Sequence, residues 1–364
     1  MLMNTWYVAG NSDDVSDKPL HTKKLGLDFA LFRDETGKIN CVSDICIHRG
    51  ASLSRGRVHK GCIECPYHGW VYGLDGGLLA TPFWDGTANS NQCPVDPRSA
   101  SLVPVRSGVW NHIVFINLSG SAPSLETYLA EMQEELGHLD LDSMEVVHSE
   151  SWVFDANWKL VMENWEVYHH VWVHQGIFDL MSDEVDLETG EPCTDMVAYN
   201  NCLMLRPNAL RKESARPDPG RLPLMPWKPN VSKTQTFTSI ANAILPNVTA
   251  SMGRVEFAPA VYIPVAPDKT LAKMAWFIPP GIKNNRELQP EVDKILERWL
   301  GPDRTITGRR GIRAQDHHCM ELQQKARRSS VANDVRFSKT WEANVRYFQN
   351  WLVDKLETRD PTAN

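Results

Sequence analysis

Two short residue pairs constrain this chain more than any other feature. Within residues 46–70, CIHRGASLSRGRVHKGCIECPYHGW, stand Cys46-x-His48 and Cys65-x-x-His68. Four side chains of metal-ligand type at this spacing suggest one centre built from two loops, each delivering one Cys and one His. Any fold of the chain has to hold those loops together.

Two occupants fit the ligand types. Structural zinc closes all four positions of a Cys2His2 set, usually with about two to four residues inside the first pair. Here one residue separates Cys46 from His48, and a 16-residue gap precedes Cys65. A Rieske [2Fe–2S] cluster uses the same set with two Cys on one iron and two His on the other. Spacing alone leaves both open. Cys41, Cys62 and Cys93 lie outside the pairs and are expected to be small buried thiols.

Eight Cys in 364 residues is too sparse for a disulfide scaffold. The start, MLMNTWYVAGNSDD, lacks a basic stretch followed by an apolar one. A cytoplasmic protein is therefore expected, with reduced thiols free for metal. The net charge of -7 argues against a nucleic-acid binder, which normally carries a basic face. No apolar run approaches the roughly 20 residues a membrane span needs.

Residues 1–119 are β-rich in pattern. LDFALFRD and INCVSD are strand-like around a Gly-Lys turn, WVYGLDGGLLA carries an Asp75-Gly76 hairpin signal, and GVWNHIVFINLSG is a further strand-length run. The period then changes: Leu125, Leu129, Met132 and Leu136 fall at helical spacing behind Ser124, a candidate N-cap. A domain boundary is expected near 119–150. NWKLVMENWEVYHHVWVH (157–174) reads as an aromatic-rich helix. Residues 181–233 are acidic, then Pro- and Arg-rich, and read as a long lid or wrapping arm. TFTSIANAIL, RVEFAPAVYIPV and TLAKMAWFIP suggest a second sheet, and three C-terminal helices follow. The class is α+β: residues 1–119 form one domain and 120–364 another.

The second domain carries His169, His170 and His174. Two His and a carboxylate with open positions are the ligand set of non-haem Fe(II) oxygenases. On an ideal helix His170 and His174, at i,i+4, share a face, whereas His169 and His174 do not. GIRAQDHHCMELQQ offers Asp316 as a distant carboxylate, with His317 and His318 as rivals on chemistry alone. Trp152, Trp158, Trp165 and Trp172 could cage a trimethylammonium group, but core packing is the favoured reading.

The flanks of these residues resemble one family. CIHRG and CPYHGW, with Pro66, Tyr67, Gly69 and Trp70, are similar to the Rieske motif of the aromatic-ring-hydroxylating oxygenase α subunits. WYVAG, NWK, EN, Leu245-Pro246-Asn247 and the Asp316-x4-Glu321-x2-Gln324 helix extend the resemblance over nearly the whole chain. It implies a β-rich Rieske domain followed by a helix-grip catalytic domain. Cys46, His48, Cys65 and His68 would hold the [2Fe–2S] cluster. The pattern acid-x-Tyr-His-x4-His, matched as Glu166-Val167-Tyr168-His169 and His174, implies that His169, His174 and Asp316 bind mononuclear Fe(II). That choice of His169 requires a local distortion such as a π-bulge, and leaves His170 to pack nearby.

The resemblance also implies a homotrimer fed by a reductase, directly or through a ferredoxin, with O2 as co-substrate. Glu166 would bridge His68 of one subunit and His169 of the next. Two departures stand out. Only Trp165 separates Asn164 from Glu166, where the family usually has a longer spacer. The acid is Glu, where most members have Asp and members acting on quaternary ammonium compounds have Glu. The chain begins almost at the Rieske sheet, like the single-subunit monooxygenases and demethylases. Hydroxylation or demethylation of a small organic substrate is expected, an aromatic one first and a quaternary ammonium or amine second. A Rieske electron carrier and a zinc-stapled binding protein are the readings of another class.

Overall fold

The structure is a computed structural model and describes residues 2–86, 96, 99–165, 170–174, 186, 188–208, 220–229, 241–303 and 311–357. The chain divides into two compact units, one up to Tyr128 and one from Leu129 on. Among the described residues, no helix is long and apolar enough to cross a membrane.

The first unit holds β1 (Trp6–Asn11), β2 (Leu20–Lys24), β3 (Leu27–Arg33), β4 (Ile39–Ser43), β5 (Arg57–His59), β6 (Cys62–Glu64), β7 (Val71–Gly73), β8 (Leu78–Ala80), β9 (Pro104–Trp110) and β10 (Ile113–Asn117). It ends in the one-turn helix α1 (Leu125–Tyr128). One sheet runs β1-β10-β9-β4-β3-β2 and a second β5-β6-β7-β8. Successive side chains of a strand point to opposite faces, and β3 uses both. Phe29 and Leu31 enter a core with Tyr7, Ile39, Val114 and Ile116. Ala30 and Phe32 enter another with Leu53, Ile63, Trp70 and Tyr72, and Cys46 and Cys65 belong to that second core.

The second unit holds α2 (Ala130–Leu136), β11 (Glu145–Phe154), α3 (Trp158–Glu163), β12 (Thr194–Ala198), β13 (Cys202–Pro207), β14 (Ala241–Ile244), β15 (Val248–Met252), β16 (Phe257–Ala266), β17 (Lys269–Ile278), α4 (Gln289–Leu300), α5 (Ile312–Ala326) and α6 (Ala343–Glu357). Its seven-stranded antiparallel sheet runs β11-β17-β16-β15-β14-β13-β12. Helix α3 packs on β16, β17, α5 and α6, and α5 reaches β11 and α4. The molecule is α+β, with antiparallel sheets in both units and most of its helix in the second.

Four expectations change in detail. GVWNHIVFINLSG is two strands rather than one, because Asn111 and His112 take φ of 43° and 65° and turn β9 back into β10. Paired positive φ values match the right-handed twist of a two-residue hairpin. The helix after Ser124 breaks into α1 and α2 at Leu129, which has φ -106° and ψ 14°; the Ser124 hydroxyl does cap it, accepting from the Thr127 N–H at 3.2 Å. Residues 157–174 do not form one helix. Asn157 caps α3, which ends at Glu163, and a 3-10 turn spans Val171–His174. Residues 181–233, expected as a lid or arm, contribute the β12–β13 pair to the sheet.

Candidate metal centres

The two cluster loops share one hydrogen-bond frame despite their different His spacing. Cys46 donates its N–H to Ala51 O at 2.9 Å and accepts from the Gly50 N–H at 2.8 Å. Cys65 donates to Trp70 O at 2.8 Å and accepts from the Gly69 N–H at 3.1 Å. In each loop a glycine four residues after the Cys closes the turn, with φ +76° at Gly50 and +68° at Gly69. That left-handed conformation is the one glycine adopts without cost. The His then stands two residues after the Cys in one loop and three in the other.

The loops bring the four candidate ligands together. The rings of His48 and His68 lie 4.6 Å apart. Cys46 and Cys65 are buried in the same core cluster. Burial pushes the Cys65 thiol above its ordinary range. The Cys46 Sγ also sits 3.2 Å from the Tyr72 hydroxyl, a neighbour the motif does not announce. His48 stacks on Trp70 with centroids 4.6 Å apart and planes 2° from parallel. Burial, with the adjacent His68 and Arg49, lowers the His48 pKa and favours the neutral ring that binds metal. Its Nδ1 is buried with no hydrogen-bond partner. Two adjoining buried thiols beside an orphaned imidazole nitrogen fit a cluster held by two Cys and two His. Of the outlying thiols, Cys41 is buried and Cys62 partly so; Cys93 lies outside the described residues.

The second centre assembles around α5. Ile312, Asp316 and Met320 are buried at successive i,i+4 positions, so a carboxylate occupies the apolar stripe of the helix. A buried charge of this kind needs partners. His170 Nε2 lies 3.1 Å and His174 Nε2 3.3 Å from Asp316 Oδ1. One donor atom from each of His170, His174 and Asp316 falls within 4.8 Å of the others. Burial opposes ionisation of Asp316, but the His170 hydrogen bond and the neighbouring His174 imidazole hold its carboxyl well below the usual carboxylate range. Two imidazoles facing one ionised oxygen at this separation suit a divalent cation. Glu166 and His169 lie outside the described residues, so the third donor in the described set is His170.

The other motif residues act as braces. Gln324 Oε1 accepts the Asn157 N–H at 2.8 Å, and Glu321 Oε1 accepts the Asp155 N–H at 3.4 Å and bonds His317 Nε2 at 2.8 Å. These bonds tie α5 to the start of α3. His317 is thereby committed to Glu321 and to Phe154, and His318 is exposed. Of the four Trp, Trp152 packs on Phe154 and Trp158 on Phe348, Trp165 is buried, and Trp172 is 58% exposed. Among the described ring contacts, no two of them stack on each other.

Known proteins resemble both halves. Residues 5–91 match the family described as Rieske [2Fe-2S] domain, and residues 141–358 match the ring hydroxylating alpha subunit (catalytic domain). The chloroplastic choline monooxygenase of Spinacia oleracea is 31% identical over 179 residues, 47% of this chain and 40% of that enzyme. The chain thus spans less than half the length of that relative. The glycine betaine monooxygenase oxygenase subunit of Chromohalobacter salexigens is 26% identical over 355 residues, 90% of this chain and 74% of that protein. Two solved structures share the fold. The quaternary ammonium Rieske monooxygenase CntA, in complex with gamma-butyrobetaine, has a TM-score of 0.67 at 18% identity, covering 98% of this chain and 89% of that one. Naphthalene 1,2-dioxygenase from Rhodococcus sp. has a TM-score of 0.71 at 18% identity, covering 99% and 91%.

Proposed function

Because the chain belongs to the family of ring-hydroxylating oxygenase α subunits, we propose that it is the oxygenase component of a Rieske non-haem iron system acting on a quaternary ammonium compound. The observation that carries this reading is the pairing of two candidate centres in one chain, Cys46/His48/Cys65/His68 in the first unit and His170/His174/Asp316 in the second. When bound, the cluster supplies single electrons and the mononuclear iron supplies O2 activation for oxygen insertion. Cys46, Cys65, His48 and His68 would hold the cluster. Asp316 and His174 would hold the mononuclear iron, and the third donor would come from the adjacent pair His169–His170. Two neutral imidazoles and one carboxylate leave positions open for O2 and substrate.

The electrons come from NAD(P)H through a reductase, with or without a ferredoxin. The assembly is a homotrimer in which Glu166 links His68 of one subunit to the iron-side His of the next. The substrate class rests on the relatives named for choline and glycine betaine, and on Glu166 standing where most members of the family carry Asp. On that support the quaternary ammonium reading displaces the aromatic one.

The test is reconstituted turnover. Purified protein is expected to hold about three irons per chain, two in the cluster and one outside it. With a reductase and NADH it is offered choline, glycine betaine, gamma-butyrobetaine and naphthalene, and products are read by mass spectrometry. Oxygenation of an ammonium compound with naphthalene untouched is the expected result. A naphthalene diol with no ammonium product would restore the aromatic reading. Two irons per chain and no oxygenation would make the chain an electron carrier. A colourless protein holding only zinc would end the oxygenase reading.

A further inference from the structure

His174 is fully buried, and α5 grips its ring from both edges. On one edge Nε2 faces Asp316 Oδ1 at 3.3 Å. On the other, Nδ1 lies 2.9 Å from Gln315 Oε1. Consecutive residues of an α-helix project about 100° apart, so a ring laid across α5 meets one side chain with each edge. The amide oxygen of Gln315 can only accept, so Nδ1 carries the proton. With the proton on Nδ1, Nε2, on the Asp316 side, is the nitrogen left to hold a cation. Were the amide reversed, its NH2 would donate to Nδ1 and leave the proton on Nε2, the atom that has to bind the metal.

We infer that Gln315 is a positioning residue for the mononuclear metal. It fixes the tautomer and ring orientation of His174 so that Nε2 and Asp316 address the same cation. The inference rests on the metal-centre reading above and adds a residue that the motif leaves unassigned. A ligand His whose second nitrogen is held by an acceptor is pre-oriented and more basic, and loss of such a partner typically weakens metal binding by about 10- to 100-fold. Because Gln315 and Asp316 are neighbours on one helix, a single element sets both the charge and the aim of the site.

The test measures metal affinity rather than turnover. Full-length protein with its cluster intact and its mononuclear site stripped is dialysed to equilibrium against Co(II). Wild type is expected to take up one Co(II) per chain. Gln315→Ala is expected to bind about 10- to 100-fold more weakly. Gln315→Glu keeps the acceptor and is expected to restore wild-type affinity or better. Gln315→Met keeps the length without a strong acceptor and is expected to match Gln315→Ala. Unchanged cluster absorption in all three variants reports an intact fold. Wild-type affinity in Gln315→Ala, or rescue by Met rather than Glu, overturns the inference and leaves the metal centre standing. Failure of wild type to bind Co(II) overturns the metal-centre reading and takes the inference with it.

Discussion

Asp316 is a carboxylate at a position where its neighbours one turn away, Ile312 and Met320, face the core. Its ionisation there depends on the imidazoles beside it. The motif around it singled out this carboxylate, and the fold brings it within 3.3 Å of His174. The choice within His169–His170 is different in kind, because the family pattern names His169 and the described distances name His170. Iron analysis of single variants separates them. His174→Ala and Asp316→Ala are each expected to lose the iron outside the cluster while keeping cluster iron. Of His169→Ala and His170→Ala, one is expected to lose it and the other to keep it. Retention in both would remove the adjacent pair from the site. Tyr72 and Gln315 went unread in the sequence for a plain reason: each acts by contacting a ligand, and neither is of a type or spacing that signals one.

The cluster loops show how an element can carry a motif through its backbone. Cys-x-His-x-Gly and Cys-x-x-His-Gly differ in where the His falls and agree in the glycine four residues after the Cys. A side chain added at Gly50 would meet nothing within 4 Å, and at Gly69 only Pro82 Cγ at 3.7 Å. The barrier to substitution is therefore the positive φ and not space. Gly69→Ala is expected to cost about 1–2 kcal/mol, the penalty of the left-handed conformation for an L-residue. Denaturant unfolding followed by cluster absorption measures it as a lower midpoint with an unchanged slope. An unshifted midpoint would mean that the loop relaxes out of that conformation at no cost. Elsewhere, strands with clean alternation and helices with clear stripes were legible. The breaks were not, because Leu129 is a good helix former and Asn111-His112 lacks the glycine that usually marks a two-residue hairpin.

At the scale of the molecule, each unit carries one candidate centre, and the proposed reaction requires electrons to pass from one kind to the other. Glu166 is the residue assigned to that passage between subunits. Glu166→Ala is expected to leave both metals bound and to uncouple cluster oxidation from product formation, read by rapid-mixing absorption alongside product yield. Normal coupling in that variant would remove Glu166 from the path. The sequence by itself determined the β-then-α+β order and the family and offered the candidate ligands of both centres, because these rest on residue identity, motif and local period. The tertiary structure alone decided which side chains meet across 141 to 146 positions of chain, as His174 meets Gln315 and His170 meets Asp316. It also decided that part of 181–233 is sheet. Contacts between residues so far apart are set by how whole elements pack, and no local pattern encodes that packing.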